Sequence, residues 1–579
     1  MMQNHLADQF LAVAAEKKEA PLFFDKRDGR WQAISYGEVA GRVCALAASL
    51  ATLGLQPGDR VILCAENSSS WAICDLAIMA AGGIVVPAYT THTPRDHAHQ
   101  LDDSGASFII CSSGRIGTGL IEVAKDRTGI KAAIIIPGAG QKTSILEKAD
   151  TAFPIHKIED LWAASPEDDA VSIEGGGTQT CCIIYTSGTG GQPKGVMLSH
   201  ASIQANIDAA RELLEEGEAE KDAVFLSLLP LSHSYEHTAG LHLPVQMGAQ
   251  VYYCEGSDKI AANLAEVRPT LMTAVPRLYE VLHERITKGV TAKGGVSAKA
   301  FYKAVELGSK KWQGAPLGFG ERIMDKLLDK IVRRKVAGRF GGRLKYFVSG
   351  GAALNPEIGQ FFLGLGVNIL QGYGQTEASP LISANRPGDI RIETVGPPVS
   401  GVEVKLSPEG ELLARGACIM KGYWQNLEAT KQALQDGWLY TGDIAEISED
   451  GFITITGRKK DMIVNSGGDN IAPGRVEAEF LVQPEIAQIM VAGDKRPWLA
   501  AVIVPAAELR SRPEEQMTAI LKNAVAKANA QLAGFEKVRK FIVAIEDFTI
   551  ENNQMTPTLK VKRHIVTGAY HDQLDALYR

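Results

Sequence analysis

The chain has no CxxC pair. Its eight cysteines stand scattered at Cys44, Cys64, Cys74, Cys111, Cys254 and Cys418, with Cys181 and Cys182 adjacent. This spacing argues against the common zinc modules and the dithiol redox motif. Most lie in apolar runs, as buried, reduced thiols of a cytosolic protein do. Nor is there an excess of positive charge. Sixty Lys and Arg face 67 Asp and Glu, a formal net charge of −7, so bulk charge gives no support to nucleic-acid binding. The opening MMQNHLADQF carries neither the basic nor the apolar region of a secretory leader. The most apolar stretch, Trp71 to Tyr89, is interrupted by Asp75 and Gly82-Gly83. It reads as a helix followed by a buried strand rather than as a membrane span. A cytoplasmic protein is expected.

What is present begins with Tyr185 to Gly195, YTSGTGGQPKG. Thr186, Ser187 and Thr189 alternate with Gly188, Gly190 and Gly191, and Lys194 closes the run. Glycine lets backbone N–H groups turn toward an anion at close range. The hydroxyls add donors and Lys194 adds a point charge. The apolar residues 181–185 ahead of it predict a short buried strand, so the loop leaves a strand end. Such a loop suits a polyphosphate. It is not a Walker A loop, because Pro193 and Gly195 flank the lysine where that motif needs Gly before and Ser or Thr after.

At 579 residues the chain is long enough for several domains. Helix-like and β-rich runs alternate in the first half: Tyr36 to Leu53, Arg60 to Cys64, Asp75 to Ala81, Ile84 to Pro87, His97 to Gly105, Phe108 to Cys111. Alternation of this kind predicts α/β layers around parallel sheet, with ligands outside the carboxyl ends of strands. One such end is Ser349-Gly350-Gly351-Ala352. From about Gly396 shorter strands predict a small β-rich subdomain. The charged run Arg458-Lys459-Lys460-Asp461 reads as a linker, and residues 462–579 as a small α+β domain. The fold class is therefore α/β: a large domain, 1–457, of layered subdomains with a β-rich part, a hinge at 458–461, and a small mobile α+β domain, 462–579.

Charge is unevenly placed. Lys288 to Lys345 holds 15 Lys or Arg against 4 Asp or Glu, so the rest of the chain carries −18. Within it Ile323, Leu327 and Ile331 share a helical face with Met324 and Leu328, amid Lys326, Lys330, Arg333 and Arg334. With Trp312 nearby, this describes either a helix lying on an anionic membrane or one packed on its domain with a solvated basic face.

Four more segments accompany the glycine loop: Gly372-Tyr373-Gly374-Gln375-Thr376-Glu377, Tyr440-Thr441-Gly442-Asp443, Gly457-Arg458-Lys459-Lys460-Asp461, and Thr556-Pro557-Thr558-Leu559-Lys560. In this order they resemble, over most of the chain, the adenylate-forming acyl-CoA synthetases. Leu229-Pro230-Leu231-Ser232-His233 and Ala274 to Glu280 are similar to the long-chain fatty acid–CoA ligases among them.

That resemblance implies attack of a fatty carboxylate on the α-phosphate of ATP, then transfer of the acyl group to coenzyme A with release of AMP. It places Mg²⁺ on Thr186 and Glu377, and the β- and γ-phosphates in Thr186 to Lys194. It gives the adenine to Gly350, Gly351, Ala352 and Tyr373, flanked by Gly374 and Thr376, and the ribose to Asp443 and Arg458. Lys560 would be the catalytic lysine, with Lys562 as competitor, and His233 would stand beside the acyl group. Lys460 would be the pivot that later brings Ser466, Gly467 and Gly468 to the coenzyme A path. His237, in the polar run Ser232 to His237, reads either as structural or as part of the mouth of the acyl tunnel. Its expected partners are the fatty acid, coenzyme A, a membrane face and a second copy of the chain. Alternatives are a carrier protein as acyl acceptor, a medium-chain or aromatic acid, a phosphotransferase that yields ADP, and a non-catalytic binding protein.

Overall fold

The computed structural model describes residues 5–138, 150–162, 176–186, 192–220, 222–544, 546–556 and 560–579. Two eight-stranded sheets form the large body. In one, the spatial order is Gly422–Tyr423, Lys194–Ser199, Thr180–Thr186, Ile84–Pro87, Arg60–Cys64, Phe108–Ser112, Ala132–Ile136, Ile155–Lys157. Its pairs from Thr180–Thr186 through Ile155–Lys157 are parallel, as the alternating pattern predicts. In the other, parallel strands Ile369–Gly374, Tyr346–Ser349, Leu271–Ala274, Val224–Ser227 and Gln250–Tyr253 lie side by side.

Between the sheets runs the helix Ser69–Ala80, every residue of which is buried. Its N-terminus is capped by Ser68, whose hydroxyl accepts from the Trp71 N–H. A helix apolar on all sides belongs inside a large protein or a membrane. Here it packs into the main core with Phe10, Phe23 and Tyr36, and a strand follows at Ile84–Pro87, as the sequence suggests. Among the described residues no helix is long and apolar enough to cross a membrane. The cysteines are free, and most are buried.

The β-rich part is an antiparallel sheet of Val402–Leu406, Glu411–Gly416, Trp438–Ile447, Ile453–Arg458 and Leu434–Gln435. Immediately after Arg458 the chain turns tightly, with the Asp461 and Met462 N–H groups both donating to the Arg458 carbonyl. The last part forms a three-stranded sheet, Ile486–Ala492, Leu499–Pro505 and Val538–Val543, covered by helices. Its two hydrophobic clusters draw only on residues from Ile463 onward. The Asn355 side chain donates to the Ala478 carbonyl at 3.3 Å, and Lys288 pairs with Glu508 at 2.8 Å, so the two bodies touch through polar contacts.

The buried strand expected ahead of the glycine loop is present as Thr180–Thr186, and it pairs antiparallel with Lys194–Ser199. One reading of the sequence differs. Leu328 does not share the exposed face of its helix. It turns inward to the core, because the inner side of that helix needs an apolar anchor.

Candidate active site

Thr186 and Lys194 are direct cross-strand partners at the base of the hairpin. Ser187, Gly188, Thr189, Gly190 and Gly191, the tip itself, lie outside the described residues. The far side of the hairpin is held by His99, whose Nε2 lies 2.8 Å from the Pro193 carbonyl and must carry the proton there. The edge of Lys194–Ser199 is covered by Gly422–Tyr423. That places the Tyr423 ring 4.9 Å beneath the Lys194 ammonium, a cation–π distance. The Tyr423 hydroxyl donates to Glu377 Oε1 at 2.8 Å. One tyrosine thus ties a cation to a carboxylate from a segment far away in sequence. The second oxygen of Glu377 and the Thr186 hydroxyl are hard oxygen donors of the kind Mg²⁺ takes, and both residues line the same cleft.

Asp443 and Arg458 face one another across adjacent strands. Asp443 is buried and accepts twice: from the Tyr373 hydroxyl at 2.6 Å and from Arg458 Nε at 3.1 Å. Burial, and then the Asp443 charge, push the Tyr373 phenol well above its ordinary range. Below this pair, buried Glu411 accepts from the Gly442 N–H at 2.9 Å and from Lys459 at 2.9 Å, which fixes the turn that presents Asp443.

The Gly350 turn has its own lid. Tyr235 donates its hydroxyl to the Val348 carbonyl at 2.8 Å, and its ring lies where a Cβ on Gly350 would stand, 3.2 Å away. A side chain there would push the ring off. Gly351 adopts φ +83°, which glycine supplies without strain. Gly350 is buried and Gly351 exposed, both lining the cleft, while Ala352 is exposed and lies outside the cleft lining. Gly374 and Thr376 line the cleft too, and Thr376 lies 3.0 Å from the Ser234 hydroxyl.

His233 accepts the Tyr235 N–H on Nδ1 at 3.2 Å, which puts the proton of the neutral ring on Nε2. Burial, and secondarily the Lys560 charge, lower its pKa to about 4, so the ring is neutral at pH 7. Lys560 comes from the small body and lines the same cleft of about 2180 Å³ as Thr186, Lys194, His233, Glu377 and Arg458. The residue is exposed, yet burial of its ammonium by the surrounding walls first, and Arg458 second, lower its pKa to about 8. Its backbone closes a small loop, with the Lys560 N–H on Thr556 Oγ1 at 3.0 Å and the Lys560 carbonyl accepting from the Thr556 N–H at 2.8 Å. Lys562 lines the cleft as well, with its ammonium on Asn553 Oδ1 at 2.5 Å.

The structure does not bring every expected residue here. Ser466, Gly467 and Gly468 form an exposed turn away from the cleft, with the Gly468 N–H on the Asn465 carbonyl. Lys460 does line it. His237 is fully buried in the core and bonded to Asp75 at 2.9 Å, away from the cleft lining. Sequence reasoning missed Tyr235, Tyr423 and Glu411. Tyr423 sits in Gly422-Tyr423-Trp424, whose aromatic pair beside a glycine was the available signal.

The model for "AMP-binding enzyme" matches residues 10–424, and that for "AMP-binding enzyme C-terminal domain" matches residues 460–579. The chain belongs to the AMP-binding enzyme family. Among its relatives is a protein of Mycobacterium bovis named long-chain-fatty-acid–CoA ligase FadD15, 33% identical over 95% of this chain and 93% of that one. Fatty acyl-CoA synthetase A of Dictyostelium discoideum is 30% identical over 96% and 87%. The fold is that of the adenylation domain of a carboxylate reductase from Mycobacterium chelonae, with a TM-score of 0.80 at 22% identity, covering 100% of this chain and 92% of that one. The anthranilate CoA ligase AuaEII in complex with anthranoyl-AMP gives 0.74 at 21% identity, covering 98% of each. As in these AMP-binding enzymes, the expected α/β layers precede a smaller α+β body.

Proposed function

We propose that this chain is an AMP-forming long-chain fatty acid–CoA ligase. In the first step a carboxylate oxygen of the acid bonds to the α-phosphorus of ATP. The bond from that phosphorus to the bridging oxygen breaks, and pyrophosphate leaves. In the second step the sulfur of coenzyme A bonds to the acyl carbon as its proton is lost, and AMP departs with the former carboxylate oxygen.

One observation carries the reading. Segments remote in sequence set Lys194, Glu377, Arg458 and Lys560 around a single cleft, with Asp443 bonded to Arg458 and Tyr373 of its lining. The names of the relatives support the acid class and the acceptor. A carboxylate and a triphosphate repel, so cations must offset their charge before the atoms can meet. Lys194 would meet the β- and γ-phosphates with Thr186 and the hairpin tip, Ser187 to Gly191. Thr186 and Glu377 would hold Mg²⁺, which supplies further charge neutralisation when bound. Asp443 would take the ribose hydroxyls in place of its present donors, with Arg458 beside it. Gly350, Gly351, Ala352 and Tyr373 would flank the adenine, next to Gly374 and Thr376. Lys560 would stabilise the charge on the α-phosphate, and neutral His233 would lie by the acyl carboxyl group.

The domains would divide at 458–461, with 1–457 and 462–579 as rigid bodies. Rotation at Lys460 would withdraw Lys560 and bring the Ser466–Gly467–Gly468 turn to the cleft for the thiol.

The test is pyrophosphate release with a series of acids, with and without coenzyme A, for the protein and its Lys560→Ala variant. The expected result is release and acyl-CoA with long-chain acids, both lost in the variant. The variant should still convert added acyl-adenylate to acyl-CoA. Pyrophosphate without acyl-CoA would point instead to a carrier protein, and ADP as product would overturn the family chemistry.

A further inference from the structure

Exposed apolar surface is concentrated in one place. Among the described residues twelve large hydrophobic side chains stand exposed, and eight of them lie between Val296 and Ile331. Phe319 is 84% exposed, Ile323 58% and Leu327 51%, with Ile331 at 43%. These four follow one another at four-residue spacing along the helical run Phe319–Leu328 and its continuation Asp329–Arg333. They make a stripe facing water.

The opposite side of this run is firmly seated. Leu328 and Val332 enter the core. Arg333 is buried, donating to the carbonyls of Gly364 at 2.9 Å and Ala304 at 2.8 Å and pairing with Asp325 at 2.6 Å. Glu321 is taken by Lys310 at 2.9 Å. The acidic groups of the first turns are thus spent on inward or lateral partners. Beside the apolar stripe runs a second one, Arg322, Lys326, Lys330 and Arg334, all exposed. Among the described residues Lys326, Lys330 and Arg334 have no acidic partner within ion-pair distance. The helix therefore presents an apolar row and a free cationic row side by side on a rigid mount.

We propose that this face docks the protein on an anionic lipid bilayer, with Phe319, Ile323, Leu327 and Ile331 in the acyl boundary and Lys326, Lys330 and Arg334 at the headgroup phosphates. Apolar side chains bordered by cations, lying flat rather than crossing, are the makeup of an interfacial helix. A second copy of the chain fits this face less well, because protein interfaces are depleted in lysine whereas this stripe is flanked by it throughout. The inference rests on the surface alone and holds whichever acid the cleft accepts.

The test uses the full-length protein and extruded vesicles in a sedimentation assay. One set is phosphatidylcholine alone and the other is equal parts phosphatidylcholine and phosphatidylglycerol. The variants are Phe319→Ser/Leu327→Ser and Lys326→Glu/Lys330→Glu. All four side chains are exposed, so the melting temperature and pyrophosphate release in lipid-free buffer serve as folding controls. The expected result is pelleting with the anionic vesicles, weakened by added salt, and at least a ten-fold loss of affinity in each variant. Absence of pelleting at low salt, equal pelleting on both vesicle types, or undiminished binding by the variants would overturn the proposal. So would a dimer in lipid-free gel filtration that the Phe319→Ser/Leu327→Ser variant dissociates, which would give the face to a second copy.

Discussion

Lys560 combines two demands that pull in opposite directions. In its proposed role it must be charged to meet the α-phosphate, yet enclosure lowers its pKa to about 8. A lysine lowered in this way is protonated below that value and loses its proton as pH rises through it. For the free enzyme kcat/KM for ATP should therefore fall on the alkaline side of about pH 8. The Lys560→Arg variant, whose guanidinium stays charged, should lack that limb even where its absolute rate is low. A pH profile of pyrophosphate release for both proteins reads this out; an identical alkaline limb would remove Lys560 as its origin. Deeper in the chain, Asp75 meets His237 at 2.9 Å and His242 at 3.2 Å with all three side chains buried. Burial alone would raise the Asp75 carboxyl, but the two imidazoles outweigh it and hold it below its usual range. The His237→Ala variant leaves that carboxylate short of a donor in the core. A destabilisation of about 3–5 kcal/mol is expected, read as a lower melting temperature of the large body. An unchanged melt would mean that water replaces the ring.

At the scale of elements, the Tyr423 strand is the piece that links Lys194 to Glu377 on one side of the cleft. A Tyr423→Phe variant keeps the ring under Lys194 and removes only the hydroxyl that reaches Glu377. A hydrogen bond to a charged group contributes about 1.5–3 kcal/mol, so kcat/KM should drop by about ten-fold or more. The deficit should be partly restored by excess magnesium, and titration of the metal at fixed ATP tests it. Here the limits of the sequence are also clear. Arg60–Cys64, Ile84–Pro87 and Phe108–Ser112 were legible because buried parallel strands are short apolar runs between helical ones. The pairing of Gly422–Tyr423 with Lys194–Ser199 was not, because a two-residue edge strand has no period and its partner lies over two hundred residues away. The same holds for Leu328. A 3.6-residue period assigns a face but not which side of it meets the core, and the wider turn at Asp329–Arg333 shifts the register. Motif order singled out Thr186, Lys194, Glu377 and Lys560, which the fold brings to one cleft; Tyr235 and Tyr423 carried no such pattern.

For the molecule as a whole, the Ser466–Gly467–Gly468 turn and Lys560 belong to one body yet stand in different places, one exposed and one in the cleft. If the bodies exchange them by rotation, the two half-reactions separate genetically. A Gly467→Leu variant should retain pyrophosphate release in a single turnover and lose acyl-CoA formation, the reverse of Lys560→Ala. Quenched-flow measurement of both products checks this; equal loss of both would argue against rotation.

The pairing of Gly422–Tyr423 with Lys194–Ser199 has a consequence for how the protein is made. A ribosome adding roughly 5–20 residues per second needs on the order of ten to fifty seconds to travel from Lys194 to Tyr423. Through that interval the nascent hairpin has an open edge and a lysine without its aromatic floor. On the proposed reading nucleotide cannot assist the early stages of folding, since Tyr423, Asp443 and Lys560 all emerge later. The growing chain must hold its first sheet together by its own strand pairing and hydrophobic burial, and the fully buried helix Ser69–Ala80, complete long before, is equipped to supply the latter.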